Sequence, residues 1–80
     1  MTSAKAMTPA EIKKQMGERL KTARENAGYA TAEAFCTKNQ IDLDLYQKQE
    51  TGEKGIKTSH ALQYSKLLNV TLYWLVVGDM

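Results

Sequence analysis

The sequence predicts an all-α domain built from five short helices. Apolar residues recur every three or four positions in several segments, as they do on the buried face of an amphipathic helix. Capping residues, together with glycines or asparagines, divide the 80 residues into five such segments. The strand-like stretches are short and have no partner to pair with, and no unit of about 20 to 50 residues repeats.

The first helix is predicted to begin at Thr8-Pro9-Ala10-Glu11 and to end at Gly28. Thr is a favoured N-cap, Pro is favoured at the first helical position, and Glu at the third completes a capping box. Its inward stripe has spacings of four, four, three and four and consists of Ile12, Met16, Leu20, Ala23 and Ala27. Residues 1–8 are small and polar and are interpreted as a flexible tail, which leaves residues 9–80 as the domain.

The next two helices lie very close together in the chain. Thr31 is expected to cap a helix that runs to about Lys38, and Asp42 to cap another that ends at Gly52. Only the link Asn39-Gln40-Ile41 separates them. Helices joined so closely cross steeply, as in a helix-turn-helix, and the second one projects from the body. This geometry favours a protein that reads DNA.

The buried faces of the later helices are predicted from the same periodicity. The second helix is expected to place Ala34, Phe35 and Lys38 near one face. Thr58 is expected to cap a fourth helix that ends at Asn69, with an inner stripe of Ala61, Leu62, Ser65 and Leu68.

The fifth helix is predicted to run from Thr71 to Gly78 and to be apolar nearly all round. Trp74 and Leu75 are assigned to the core against the first helix. A domain of this size cannot bury every side of such a helix, and exposed apolar patches mark association sites. A homodimer interface is therefore predicted at Tyr73, Val76 and Val77, with a partly exposed helix end as the alternative.

Composition limits the classes of function. Hydrophobic residues make up 42% and charged residues 25% of a chain with a net charge of +2, which is ordinary for a soluble globular domain. The first 30 residues hold six Lys or Arg against three acids, so the basic excess belongs to the first helix. No apolar run approaches the ~20 residues that span a bilayer, and the N-terminus lacks a secretory signal. A cytoplasmic protein without membrane association is expected.

Reactive residue types are sparse. Cys36 is the single cysteine, which excludes an intrachain disulfide, and an inert buried thiol is favoured over a redox sensor. His60 has no companion at ligand spacing and is expected at the surface, so no metal or cofactor is predicted. No nucleophile, base and orienting group occur together, and no catalytic residue is assigned.

Five motifs occur together within residues 12–79: Gly17-Glu18-Arg19-Leu20 with Arg24, Ala27-Gly28-Tyr29, Phe35-Cys36, Glu50-Thr51-Gly52, and Leu67-Leu68-Asn69-Val70-Thr71-Leu72-Tyr73-Trp74-Leu75-Val76-Val77-Gly78-Asp79. Together these motifs resemble the phage-repressor, Cro-like (XRE) helix-turn-helix family. The resemblance implies a five-helix lambda-repressor-like domain that binds operator DNA, often as a dimer, with the third helix in the major groove.

Two positions depart from the family pattern. Cys36 stands where Ala is usual, and Gln40 stands where the family prefers Gly in the turn, at a position that tends to need positive φ. Either Gln40 adopts that conformation or Asn39 does so instead.

The resemblance also assigns roles to side chains. Tyr46 and Gln49 match apolar positions of the family and are expected to point partly inward, which leaves four outer residues as predicted base contacts: Leu43, Asp44, Gln47 and Lys48. A Lys side chain can donate a hydrogen bond to guanine, and a Gln side chain can bond to adenine or to phosphate. An Asp side chain can accept from the cytosine amino group, and a Leu side chain can pack on a thymine methyl. The family's phosphate contacts correspond to Thr31, Lys54 and Lys57. Arg19 is expected either near the DNA backbone or inside the fold, paired with Glu50.

Two functions remain open. The first is a sequence-specific transcriptional regulator, and more specifically a repressor, that binds double-stranded DNA. The second is an antitoxin-like or adaptor module that binds another protein and has reduced or lost DNA binding. Asp42 and Asp44 favour the second function, because two carboxylates near phosphates are repelled.

Overall fold

A computed structural model describes residues 8–78 of the protein. Within this range the chain forms helices α1 (Pro9–Asn26), α2 (Ala32–Asn39), α3 (Leu43–Thr51), α4 (Thr58–Leu68) and α5 (Leu72–Val77), with no strand. The prediction of five helices is confirmed for these residues. The predicted tail lies outside the described residues except for Thr8, as does Asp79 of the closing motif.

Four helices begin at the residues that the sequence predicts as N-caps. Each of these side chains accepts a hydrogen bond from the backbone amide three residues later: Thr8, Thr31, Asp42 and Thr71. At Thr8 the capping box is complete, since Glu11 Oε1 also accepts from the Thr8 amide at 2.9 Å. Local polar chemistry therefore determines where these helices start.

The start of α4 differs from the prediction. Lys57, not Thr58, is the N-cap, and no side chain caps this helix. The neighbouring Ile56 is half-buried and packs against the core. Because the Lys57 carbonyl already accepts from the Ala61 amide at 2.8 Å, the helix begins directly after Lys57, and Thr58 is its first helical residue.

All five helices described contribute to one core. Its buried members are Leu20, Ala23, Phe35, Cys36, Tyr46, Ala61, Tyr64, Leu68 and Leu75. The Phe35 ring lies at the centre, with ring centroids 5.1 Å from Tyr29, 5.2 Å from Tyr46 and 6.3 Å from Tyr64. Tilted and edge-to-face aromatic pairs of this kind stabilise a small core beyond the area they bury.

Three predicted stripes need correction. Ile12 and Ala27, at the two ends of the α1 stripe, are exposed, because the other helices cover only its middle. Leu62 is exposed, and Tyr64 fills the inward position on α4 instead. On α2, Ala34 and Lys38 are exposed, and Cys36 accompanies Phe35 in the core.

Candidate nucleic-acid interface

The link between α2 and α3 depends on one left-handed residue. Gln40 has φ 59° and ψ 47°, so Gln40 adopts the positive φ and Asn39 stays helical. The Ile41 amide donates to the Cys36 carbonyl at 2.9 Å, and Asn39 Nδ2 donates to the Phe35 carbonyl at 2.9 Å. These bonds close the end of α2 and direct the chain into α3.

Cys36 is buried beside this link, as predicted for an inert thiol. Burial raises the pKa of the Cys36 thiol to about 11, so the thiol stays protonated and weakly nucleophilic at neutral pH. The side chain of Cys36 belongs to the same core cluster as Phe35 and Tyr46.

The inner face of α3 is held by Tyr46 and Gln49, which are 0% and 1% exposed. The inward orientation predicted for both is confirmed and is more complete than expected. Burial raises the pKa of Tyr46 far above its usual range. The neighbouring Glu50 carboxylate raises this pKa further.

Gln49 connects α3 to α4 through a short polar network. The Tyr64 hydroxyl donates to Gln49 Oε1 at 2.6 Å, which orients the amide, and Gln49 Nε2 lies 3.1 Å from His60 Nδ1. An amide nitrogen can only donate, so Nδ1 accepts and the ring proton of neutral His60 is on Nε2. His60 lies in the first turn of α4, as predicted, and it is partly rather than fully exposed there.

An ion pair connects α3 to α1. Arg24 Nε donates to Glu50 Oε2 at 2.7 Å, and this hydrogen bond raises the pKa of the guanidinium. The prediction that Arg19 pairs with Glu50 is wrong. Arg19 instead donates to the carbonyl oxygens of Leu75 and Val76 at 2.9 and 2.8 Å, because α5 ends beside it. The sequence signal for Arg24 is its spacing of four residues from Leu20, which puts it beside the buried stripe of α1.

Three of the four predicted base-contacting residues lie together on the outer face of α3. Asp44, Gln47 and Lys48 line a shallow groove of about 240 Å³ with Thr51 and Glu53. Leu43 does not join them: it is half-buried against the core, so its assignment to the outer face is corrected. Leu43 precedes the buried Tyr46 by three residues, which puts both side chains on the same side of α3.

The two charged side chains that α3 contributes to this groove pair with each other. Lys48 Nζ lies 3.2 Å from Asp44 Oδ2, one helical turn away. The hydrogen bond to Asp44 raises the pKa of Lys48, which is therefore charged at neutral pH. The groove thus presents one cation and one carboxylate on adjacent turns of α3, and the Glu53 side chain adds a second carboxylate to its lining.

The predicted phosphate contacts divide into two places. Thr31 is exposed at the start of α2, where its hydroxyl is engaged as the N-cap, and it is not part of the groove that Asp44, Gln47 and Lys48 line. Lys54 and Lys57 are exposed in the loop of residues 52–57 and line a second cleft of about 460 Å³ between α1, α3 and α4.

The predicted dimer interface lies on α5. Leu75 is fully buried and Trp74 half-buried, so the core assignment holds for Leu75 and only in part for Trp74. Tyr73, Val76 and Val77 are 53%, 39% and 55% exposed. Together they present an apolar surface on the outer side of this helix.

Within residues 8–78, no helix combines the length and apolarity needed to cross a bilayer. The same part of the chain contains no group of three or more His, Cys, Asp or Glu arranged to hold a metal ion. Comparisons with protein-family models, with curated proteins and with solved structures found no match for this chain.

Proposed function

We propose that this protein is a transcriptional regulator that binds double-stranded DNA sequence-specifically, and that it represses by occupying an operator. In this proposal α2 and α3 form a helix-turn-helix of the phage-repressor, Cro-like (XRE) type within a five-helix lambda-repressor-like domain. The third helix enters the major groove.

One observation carries the proposal: α3 is anchored entirely from one side. Tyr46, Gln49 and Glu50 hold its inner face, and the polar groups of Asp44, Gln47 and Lys48 are gathered on the opposite side. A helix held in this way can enter a major groove about 12 Å wide without disturbing the core. Its outer side chains are of the types that bond to base edges.

The charge distribution supports separate sources for base selectivity and for affinity. Because Asp44 and Lys48 neutralise each other, the outer face of α3 contributes selectivity more than net attraction. Affinity for the DNA backbone then comes from the proposed phosphate contacts of Lys54, Lys57 and Thr31, since phosphate contacts supply most of the affinity and its salt dependence.

A homodimer is the assembly proposed for DNA binding. The exposed apolar residues of α5, Tyr73, Val76 and Val77, would be covered by the same residues of a second copy, as in a two-fold interface. Two copies of α3 would then read half-sites about 34 Å apart.

Selection from a random duplex pool tests the proposal. We expect enrichment of a palindromic motif with half-sites one helical turn apart. Lys48→Ala should relax the preference at one position and cost about 1–3 kcal/mol on the selected duplex. Lys66→Ala, which removes an exposed charge from the last turn of α4, is the matched control and should leave the motif unchanged. Failure to enrich any sequence overturns the proposal.

The Asp44–Lys48 pair also favours a second candidate, an antitoxin-like or adaptor module that binds another protein. Lys48 is the single cation of α3, and a carboxylate already engages it. Absence of duplex binding even at low salt would support this candidate, because non-specific attraction is strongest there.

A further inference from the structure

The cleft of about 460 Å³ brings together lysines from distant parts of the chain. Lys13 of α1 lines it with Lys54 and Lys57 of the loop. Periodicity places Lys13 on the solvated face of the first helix, with no link to the other two. Among residues 8–78, none of these three lysines forms an ion pair.

Close backbone packing sets this juxtaposition. Gly52 ends α3 with φ 84°, and a Cβ built there would lie 2.7 Å from Lys14 Cα, so the loop starts against the α1 backbone. A Cβ on Gly55 would lie 3.6 Å from Lys13 Cε, in ordinary contact. The Lys54 amide donates to the Lys48 carbonyl at 3.1 Å. The loop is thus seated on both α1 and α3.

The remaining lining adds hydrogen-bond donors. His60 lines the cleft, and with its Nδ1 accepting from Gln49 it keeps a proton on Nε2. The first turn of α4 has no side-chain cap. Glu53 is the single acidic residue in the lining. This excess of cations and neutral donors over acceptors suits the oxygens of a phosphate group.

The position of the cleft favours DNA backbone over a small phosphate compound. Leu45 and Gln49 of α3 form one wall, and Glu53 lines both this cleft and the groove that holds Lys48. A DNA backbone that follows the edge of α3 would therefore pass from the groove to the cleft without crossing another helix of the core.

We propose that Lys13 is a third phosphate-contacting lysine, which acts with Lys54 and Lys57 to hold one stretch of DNA backbone. This inference rests on the proposed function and extends its contact surface from α3 and the loop onto α1. Because Lys13 would contact a phosphate and no base, it would increase the affinity for DNA and leave the base preference unchanged.

This inference is tested by measuring how the DNA affinity of the Lys13→Ala variant depends on salt concentration. Affinity is measured against salt concentration on the selected duplex and on an unrelated duplex. Losing one phosphate contact should flatten the slope of log Kobs against log[salt] by about 0.9, and weaken binding by a similar factor on both duplexes. Lys13→Arg keeps the charge and should restore the slope. Thermal unfolding of each variant checks that the fold is intact.

Lys21→Ala is the matched control, because Lys21 is an exposed lysine of the same helix that lines none of the clefts described. Equal slopes for Lys13→Ala and Lys21→Ala would overturn the inference, while a site-specific effect of Lys48→Ala would leave the proposed function standing. If the unmodified protein binds no duplex, both fail. If inorganic phosphate shifts the NMR signals of Lys13 and His60 and duplex DNA does not, the cleft binds a small anion and the inference is wrong.

Discussion

Arg24 and Glu50 form a buried ion pair that ties α1 to α3. Arg24 Nε lies 2.7 Å from Glu50 Oε2, and the two side chains are 4% and 10% exposed. Arg24 Nη1 also donates to the Tyr29 carbonyl at 2.7 Å. Since the pair holds α3, the proposed function depends on the same contact as the stability of the fold.

Glu50→Ala is expected to cost about 3–5 kcal/mol of unfolding free energy, because it leaves a buried guanidinium without its carboxylate. This is a large part of the stability of an 80-residue domain. Urea denaturation followed by circular dichroism measures it. Glu53→Ala removes an exposed acid three residues later and should change stability by less than about 0.5 kcal/mol. Similar values for both variants would contradict the buried pair.

Gly17→Ala is expected to destabilise the protein, although Gly to Ala within a helix ordinarily stabilises by about 1 kcal/mol. A Cβ at Gly17 would overlap the carbonyl oxygens of Gln49 and Glu50, so α1 and α3 would have to separate. The thermal midpoint should fall. Gly55→Ala, where a Cβ meets only ordinary contacts, is the control and should not lower it. A higher midpoint for Gly17→Ala would show that the helices do not approach so closely.

Gln40→Gly is expected to stabilise the protein by about 1 kcal/mol. Gln40 has φ 59°, a left-handed conformation that costs a residue with a Cβ about 1–2 kcal/mol and costs glycine little. Equilibrium unfolding in urea gives the difference. Asn39→Gly, at a helical position whose side chain donates to the Phe35 carbonyl, should destabilise instead. Equal effects at both positions would refute the assignment of the turn conformation to Gln40.

Asp44→Asn is expected to strengthen binding to an unrelated duplex at low salt. The substitution removes the carboxylate that lies 3.2 Å from Lys48 Nζ and releases this charge for phosphate or guanine. Fluorescence anisotropy over a salt series measures the change. Glu25→Gln, at an exposed position of α1, makes the same change in net charge and serves as the control. If both variants gain equally, net charge and not the release of Lys48 explains the effect.

Tyr64→Phe is expected to make the unfolding free energy fall less steeply as the pH rises into the alkaline range. Burial raises the pKa of Tyr64 to about 12 in the folded protein, against about 10 in an unfolded chain. Folding therefore favours the neutral hydroxyl, which donates to Gln49. This contribution is complete below pH 10 and is lost as the pH rises to about 12, to a limit of about 3 kcal/mol. Unfolding free energies across this window should fall less in the variant, and parallel profiles would rule the coupling out.

The amino-acid sequence by itself determined most helix boundaries. Thr8, Thr31, Asp42 and Thr71 cap amides three residues away, and Asn69 ends α4 in a left-handed conformation. These interactions span a single turn, so they can be recognised without knowing the fold. The inward orientation of Tyr46 and Gln49 was expected from the family resemblance and not from these local interactions.

Only the tertiary structure decided which residues meet between helices. It selected Arg24 over Arg19 as the partner of Glu50, and it placed Lys13 in the same cleft as Lys54 and Lys57. Periodicity identifies the face of a helix that turns inward, whereas contacts between helices depend on where and at what angle the helices cross. That crossing arises from the packing of all five described helices together, and no short stretch of sequence encodes it.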